Sequence, residues 1–295
     1  MVQAVSTAAW WVLLLMVPSS VKWFQPTAWP ADTMYGFWLG DTVLLIGGSC
    51  VVAAAVLSQK SWSTVAVWSL AAAVWYPTLY CIGTSILTDQ AWIASAMMTS
   101  MAGMTLAMAT IHGNATQTAA TIRVTPMTTT SAFTWTFAQT LIFWCVFLWI
   151  LPKGIVELET LLNWNSFSHV GQSILAGFLF GLASILGLWS AATMALLGNG
   201  TPLPTATAPY LVVGGPYRFV RNPMALAGIV QGVAVGWYFG SLAVIAYAFT
   251  GALLWHFCVR PIEEADLQQR FPADYPQYRE AVGLWLPRLP AKRNS

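Results

Sequence analysis

Charge is what this sequence has least of. Only 7% of its 295 residues are Asp, Glu, Lys or Arg, while 57% are hydrophobic. An ordinary soluble domain carries roughly 25% charged residues, so a chain this long could not cover a soluble surface with so few. The net charge of +2 is too small to suggest nucleic acid, and no basic surface interleaved with aromatics is present. Cys50, Cys81, Cys145 and Cys258 all fall within apolar stretches. That placement suits buried thiols rather than a disulfide framework, and no CxxC or His-rich spacing suggests a metal. No GxGxxG follows a strand pattern, which excludes a soluble-type dinucleotide domain. No Lys or Arg precedes the apolar run 8–21. It therefore lacks the charged start of a secretory signal and reads as a first membrane span.

What the sequence does have is long apolar stretches, at about 6–22, 35–57, 63–88, 91–112, 132–152, 169–197, 223–239 and 241–260. They predict an all-α, polytopic helical membrane protein with about eight transmembrane helices. The last two form one apolar stretch from Pro223 to Val259. As a single helix it would run to about 55 Å, nearly twice the hydrocarbon thickness. Gly236-Trp237-Tyr238-Phe239-Gly240-Ser241 at its middle supplies turn glycines and interfacial aromatics, so a tight helical hairpin is expected. With eight spans, Lys60, Arg123, Arg218, Arg221, Arg260, Arg270, Arg279, Arg288, Lys292 and Arg293 fall on one side. Only Lys22 and Lys153 fall on the other, together with Asp32, Asp89, Glu157 and Glu159. The positive-inside rule then places both termini in the cytoplasm.

Residues 1–152 read as an N-terminal transmembrane module with little chemistry. Asp41 is the one acid expected inside a membrane segment, near enough to its outer end to snorkel to the interface. His112, His169 and His256 lie near span ends and read as interfacial or hydrogen-bonded. The Thr- and Ala-rich stretch 114–131 is a polar cytoplasmic loop, and its Asn114-Ala115-Thr116 sequon lies on the wrong side for glycosylation. Gly177 and Gly181, and Gly228, Gly232 and Gly236, repeat at a four-residue spacing that lets helices approach closely in lipid.

The chemistry concentrates in residues 153–295, in two cytoplasmic segments flanking the hairpin. The first runs Gly198-Asn199-Gly200-Thr201-Pro202-Leu203-Pro204 and then Leu211-Val212-Val213-Gly214-Gly215-Pro216-Tyr217-Arg218-Phe219-Val220-Arg221-Asn222-Pro223-Met224. The second runs Arg260-Pro261-Ile262-Glu263-Glu264 and on through Leu267, Phe271, Tyr275 and Tyr278. A hairpin that crosses and returns brings its two ends together, so two arginines and two glutamates converge at one membrane face. An arginine fork suits a carboxylate, a glutamate accepts from a diol, and aromatics wall an adenine, all of which S-adenosylmethionine offers. Plainer readings exist for the same residues. The arginines also serve as positive-inside anchors, and Pro261 with Glu263 and Glu264 is an ordinary helix start. Leu267, Phe271, Tyr275, Tyr278 and Val282 recur as an amphipathic helix on the bilayer surface would.

Gly215-Pro216-Tyr217-Arg218-Phe219-Val220-Arg221-Asn222-Pro223-Met224, followed by Glu263-Glu264-x-x-Leu267-x-x-x-Phe271 and Tyr275-x-x-Tyr278, resembles the isoprenylcysteine carboxyl methyltransferase and phospholipid methyltransferase families. The resemblance covers about 170–290 and includes the Gly-x-Gly-Thr-Pro-x-Pro element from Gly198. It implies a membrane-embedded methyltransferase that uses S-adenosylmethionine, with its active site facing the cytoplasm. It implies Arg221, Glu264 and Asn222 as catalytic residues. It implies Gly215, Tyr217, Arg218, Arg221, Asn222, Pro223, Glu263, Glu264, Tyr275 and Tyr278 around the cofactor. A lipophilic small molecule, lipid or lipidated substrate would enter between helices, and carboxylate, amine and thiol acceptors all fit. Asn222 stands where eukaryotic members have histidine, and Ala225 where a tyrosine is usual. The alternative is a non-catalytic transporter or scaffold that keeps a degenerate methyltransferase end.

Overall fold

The computed structural model describes residues 1–117, 128–164, 166–198 and 209–288, with only the backbone of 114–117. Arg123, Lys292, Arg293 and the Asn199–Pro204 part of the Gly-x-Gly-Thr-Pro-x-Pro element lie outside the described residues, as do the sequon's side chains. The described residues are helical throughout, apart from turns and one isolated bridge. The helices are α1 (Val2–Met16), α2 (Ala31–Leu57), α3 (Ser63–Thr88), α4 (Trp92–Gln117), α5 (Thr129–Leu161), α6 (Gln172–Gly198), α7 (Pro223–Phe239), α8 (Leu242–Arg270) and α9 (Asp274–Ala281). Six of them, α2 to α6 and α8, are long and apolar enough to cross a membrane. Helices α1 and α7 are equally apolar but shorter, at 15 and 17 residues.

The chain divides into two compact units. The first holds α1–α4 and the second half of α5, and the second holds the first half of α5 with α6–α9. In the first unit α3 and α4 pair closely, and Leu45 of α2 packs against Val74 and Ala102. Asp41 has a partner within the unit. It begins a π-helical segment of α2 (Asp41–Gly47), and its carboxylate accepts from Trp11 Nε1 at 3.1 Å. His112 is hydrogen-bonded as expected, with Nε2 3.1 Å from Ser63 Oγ.

In the second unit α7 packs along α6 and α8. The expected hairpin forms. Gly240 takes the left-handed conformation (φ 65°), and Ser241 N bonds back to Gly236 O at 2.9 Å. Ser241 then caps α8, its Oγ accepting from Val244 N at 2.9 Å. The turn is tied down from outside by Gln172 Nε2, which donates to Trp237 O at 2.8 Å, and by Phe167 N on Gly240 O at 2.9 Å.

Three sequence expectations need correcting. A Cβ on Gly232 would sit 2.9 Å from Ala248 Cβ and one on Gly236 2.8 Å from Ile245 N, so these glycines do set a close approach of α7 to α8. Gly177 and Gly181 share the spacing, but nothing among the described residues lies within 4 Å of where a Cβ would be, and they set no such approach there. Secondly, Pro261 starts no new helix. Helix α8 continues through it to Arg270, and the turn just before it (Trp255–Val259) is π-helical. Proline has no N–H and its ring crowds the carbonyl four residues back, and a widened turn relieves both problems. Arg260 Nε covers part of the loosened backbone by donating to His256 O at 3.2 Å. Thirdly, the tail is not one amphipathic surface helix. Phe271, forced out of the helical region by Pro272 (φ −128°, ψ 64°), separates α8 from α9. Tyr275 and Val282 are buried at 2% and 8% exposure, so the tail folds back onto the unit.

Candidate active site

The segment before the hairpin is shaped by two local devices. Gly215 has φ +53°, and a Cβ there would lie 2.6 Å from Thr193 Oγ1 on α6, so only glycine fits. It opens a 3-10 turn, Gly215–Arg218, that buries Pro216 and Tyr217 and leaves Arg218 exposed. Asn222 then caps α7, its side-chain oxygen accepting from Ala225 N at 3.3 Å, with Pro223 at the first helical position. Replacing Asn222 by alanine should lower stability by about 1 kcal/mol, while aspartate, which can cap equally, should preserve it. Thermal unfolding in detergent checks this, and an equal loss in both variants would refute the capping role.

Arg221 lies between these devices at the centre of the cluster. Its Nη1 donates to Glu264 Oε1 on α8 at 2.7 Å and to Tyr275 Oη on α9 at 3.3 Å. The pair is largely sheltered, with 11% and 17% of the two side chains exposed. Arg221 Nε is buried and has no hydrogen-bond partner among the described residues. Tyr278 Oη donates to Tyr217 O at 2.7 Å, which clamps α9 onto the 3-10 turn. Glu263, next to Glu264, is partly buried and close enough to Tyr217 to act on its phenol. Burial pushes the Tyr217, Tyr275 and Tyr278 phenols above their ordinary range. They stay protonated near neutral pH and serve as hydrogen-bonding walls rather than bases.

The expected residues are thus brought together, apart from Arg218, whose side chain faces solvent or lipid. The motif reading missed the chain after α9. Gly283 O accepts from Arg221 N at 2.9 Å, and Val220 and Gly283 form a parallel bridge. Trp285 stacks on His256 (6.1 Å between ring centres) and meets Trp255 edge-on at 5.2 Å. A lone glycine before a tryptophan after a short helix was a faint cue, and nothing local said where it would dock. Among the described residues no group of three or more His, Cys, Asp or Glu could hold a metal ion.

Residues 171–274 match the phospholipid methyltransferase family model. The match bears out the resemblance read from the motifs and takes in the turn, the hairpin, the Glu263-Glu264 pair and the start of α9. Together with the six apolar helices, it supports an integral membrane methyltransferase. No curated protein and no solved structure matches the chain.

Proposed function

We propose that this membrane methyltransferase uses S-adenosylmethionine to methylate a lipophilic acceptor at the cytoplasmic membrane face. The observation that carries the reading is the Arg221 side chain. It is fixed by Glu264 and Tyr275, yet keeps a buried Nε–H without an acceptor among the described residues. An amino-acid carboxylate fits that vacancy in the hydrogen bonding. The remaining groups fit the rest of such a ligand. Glu263 and Glu264 would accept from ribose hydroxyls. Tyr217, Tyr275, Tyr278 and Pro223 would wall the adenine, and the Gly215 turn would let backbone approach closely. Arg218, exposed beside them, would reach ligand or lipid phosphate.

The bound cofactor supplies an electrophilic methyl group. The chain's own work is to hold that group in line with the acceptor and keep water away, which accounts for a site of fixed hydrogen bonds and buried phenols. Glu264 holds the Arg221 fork in place, and Asn222, through the α7 cap, fixes the backbone on which Arg221 sits. Asn222 uses only its amide oxygen in the cap, and its amide hydrogens would be the group offered to the acceptor. The family match favours a phospholipid among the possible acceptors.

The same reading takes α1 and α7 as spans. At 17 residues α7 is at the lower limit for crossing, and the bias of basic residues favours cytoplasmic termini. The test is to titrate S-adenosylhomocysteine into the detergent-purified protein by calorimetry. A labelled-methyl assay on lipid extract follows. Saturable binding and label in the organic phase are expected. Absence of binding would favour the transporter or scaffold reading, and binding without transfer would refute the lipid acceptor.

A further inference from the structure

Arg221 is carried by residues 219–222, a short stretch between the 3-10 turn and α7 that forms no helix of its own. Its course therefore depends on where its backbone groups find partners. The amides of Phe219 and Val220 both turn back to Pro216 O, at 3.0 and 3.3 Å. Arg221 N leaves the turn and donates to Gly283 O at 2.9 Å. The backbone beneath the central side chain of the site is thus held by the segment that follows α9.

That segment has its own anchor. Helix α9 ends at Ala281, and Val282 continues it as extended backbone (φ −115°, ψ 130°). A Cβ on Gly283 would run into the Leu286 carbonyl, so only glycine lets the chain double back here. The turn sets Trp285, half-buried, against the π-helical turn of α8. Its ring meets Trp255 edge-on at 5.2 Å and stacks on His256 at 6.1 Å. Trp285 Nε1 also donates to His256 Nδ1 at 3.4 Å. Arg288 Nη1 donates to Glu280 O, which joins the tail only to α9. Trp285 is what ties it to α8.

We propose that Trp285 is a positioning residue for the reaction. Seated on Trp255 and His256, it sets where Gly283 O lies, and so where Arg221 meets Glu264. The contacts close a ring. They run from His256 through Trp285 and Gly283 to Arg221, then back to Glu264 on the same helix. His256 and Glu264 lie eight residues apart along α8, about 12 Å by helical rise. The helix acts as a ruler between the two ends of the ring, which an untied tail would leave open. The proposal rests on the reading of Arg221 as the partner of the cofactor.

The experiment uses the full-length protein in detergent, unaltered and as Trp285→Ala and Trp285→Phe. Amide hydrogen exchange is followed by mass spectrometry over residues 219–222 and over α7. S-adenosylhomocysteine is titrated by calorimetry. In Trp285→Ala, exchange over 219–222 should quicken about tenfold or more while α7 keeps its protection. Affinity should weaken about tenfold or more at unchanged stoichiometry. Stoichiometry separates positioning from a structural role, because misfolding removes sites and misplacement weakens them. Trp285→Phe keeps a ring on Trp255 and His256 and should recover most of the affinity. Unchanged exchange in Trp285→Ala would overturn the proposal, and so would faster exchange with unchanged affinity. Lost stoichiometry at unchanged affinity, or phenylalanine no better than alanine, would overturn it equally. If the unaltered protein binds no S-adenosylhomocysteine, the cofactor reading fails instead, and exchange over 219–222 alone decides whether Trp285 holds Arg221 in place.

Discussion

Arg221→Lys is expected to fold normally but to bind S-adenosylhomocysteine between about tenfold and a hundredfold more weakly than the unaltered protein. Lysine keeps the charge and can still reach Glu264, so the pair between the hairpin's two ends survives. It cannot offer a second donor at the position of Nε, because an ammonium is a point charge and a guanidinium is a fork. One charge-assisted hydrogen bond contributes about 1.5–3 kcal/mol, which converts to that range of affinity. Arg221→Ala is expected to lose stability as well. It leaves the sheltered Glu264 carboxylate without its cation, a defect that costs roughly 3 kcal/mol or more where a pair is buried. Calorimetry and thermal unfolding separate the two effects. Lysine binding as tightly as arginine would show that Nε faces no ligand.

Substitution at Gly236 should have the second large effect, and a matched control exists in the same unit. An alanine Cβ there would lie 2.7 Å from Ile245 Cγ1 and 2.8 Å from Ile245 N. The backbone atom cannot move without shifting α8, so overpacking of about 1–3 kcal/mol is expected. For a chain of this size that lowers the unfolding temperature by roughly 5 °C. Arg221 and Glu264 lie on the chain at opposite ends of the same hairpin, so methyl transfer should fall with it. Gly177→Ala, where nothing lies within 4 Å, should be neutral or slightly stabilising. Equal losses at the two positions would show that close approach is not what Gly236 provides.

Those two glycines also show how far the sequence could be read. Their four-residue spacing is the same, and spacing reports only which side of a helix a residue occupies. Whether another helix lies against that side is a property of the packed unit. The hairpin could be read in advance because its constraint is local: an apolar stretch too long for one crossing, with Gly240 and Ser241 able to end one helix and start the next. Pro261 could not, because its familiar meaning as a helix start is also local. The π-helical turn that admits it within α8 is a feature of the folded helix that the residue types around the proline do not announce.

The candidate site divides along the same line. Composition and apolar length were enough for a helical membrane protein, and the ordered motifs from Gly215 to Tyr278 were enough for the methyltransferase resemblance, since each depends on residue type and order along the chain. That Arg221 bonds to Glu264 and Tyr275 while its Nε finds no partner among the described residues required the folded chain. So did the anchoring of Arg221 by the Gly283 carbonyl, and the seating of Trp285 on Trp255 and His256. These contacts join residues far apart in sequence, and hydrogen-bond partners at such separations are chosen by where packing places the backbone rather than by any pattern along it.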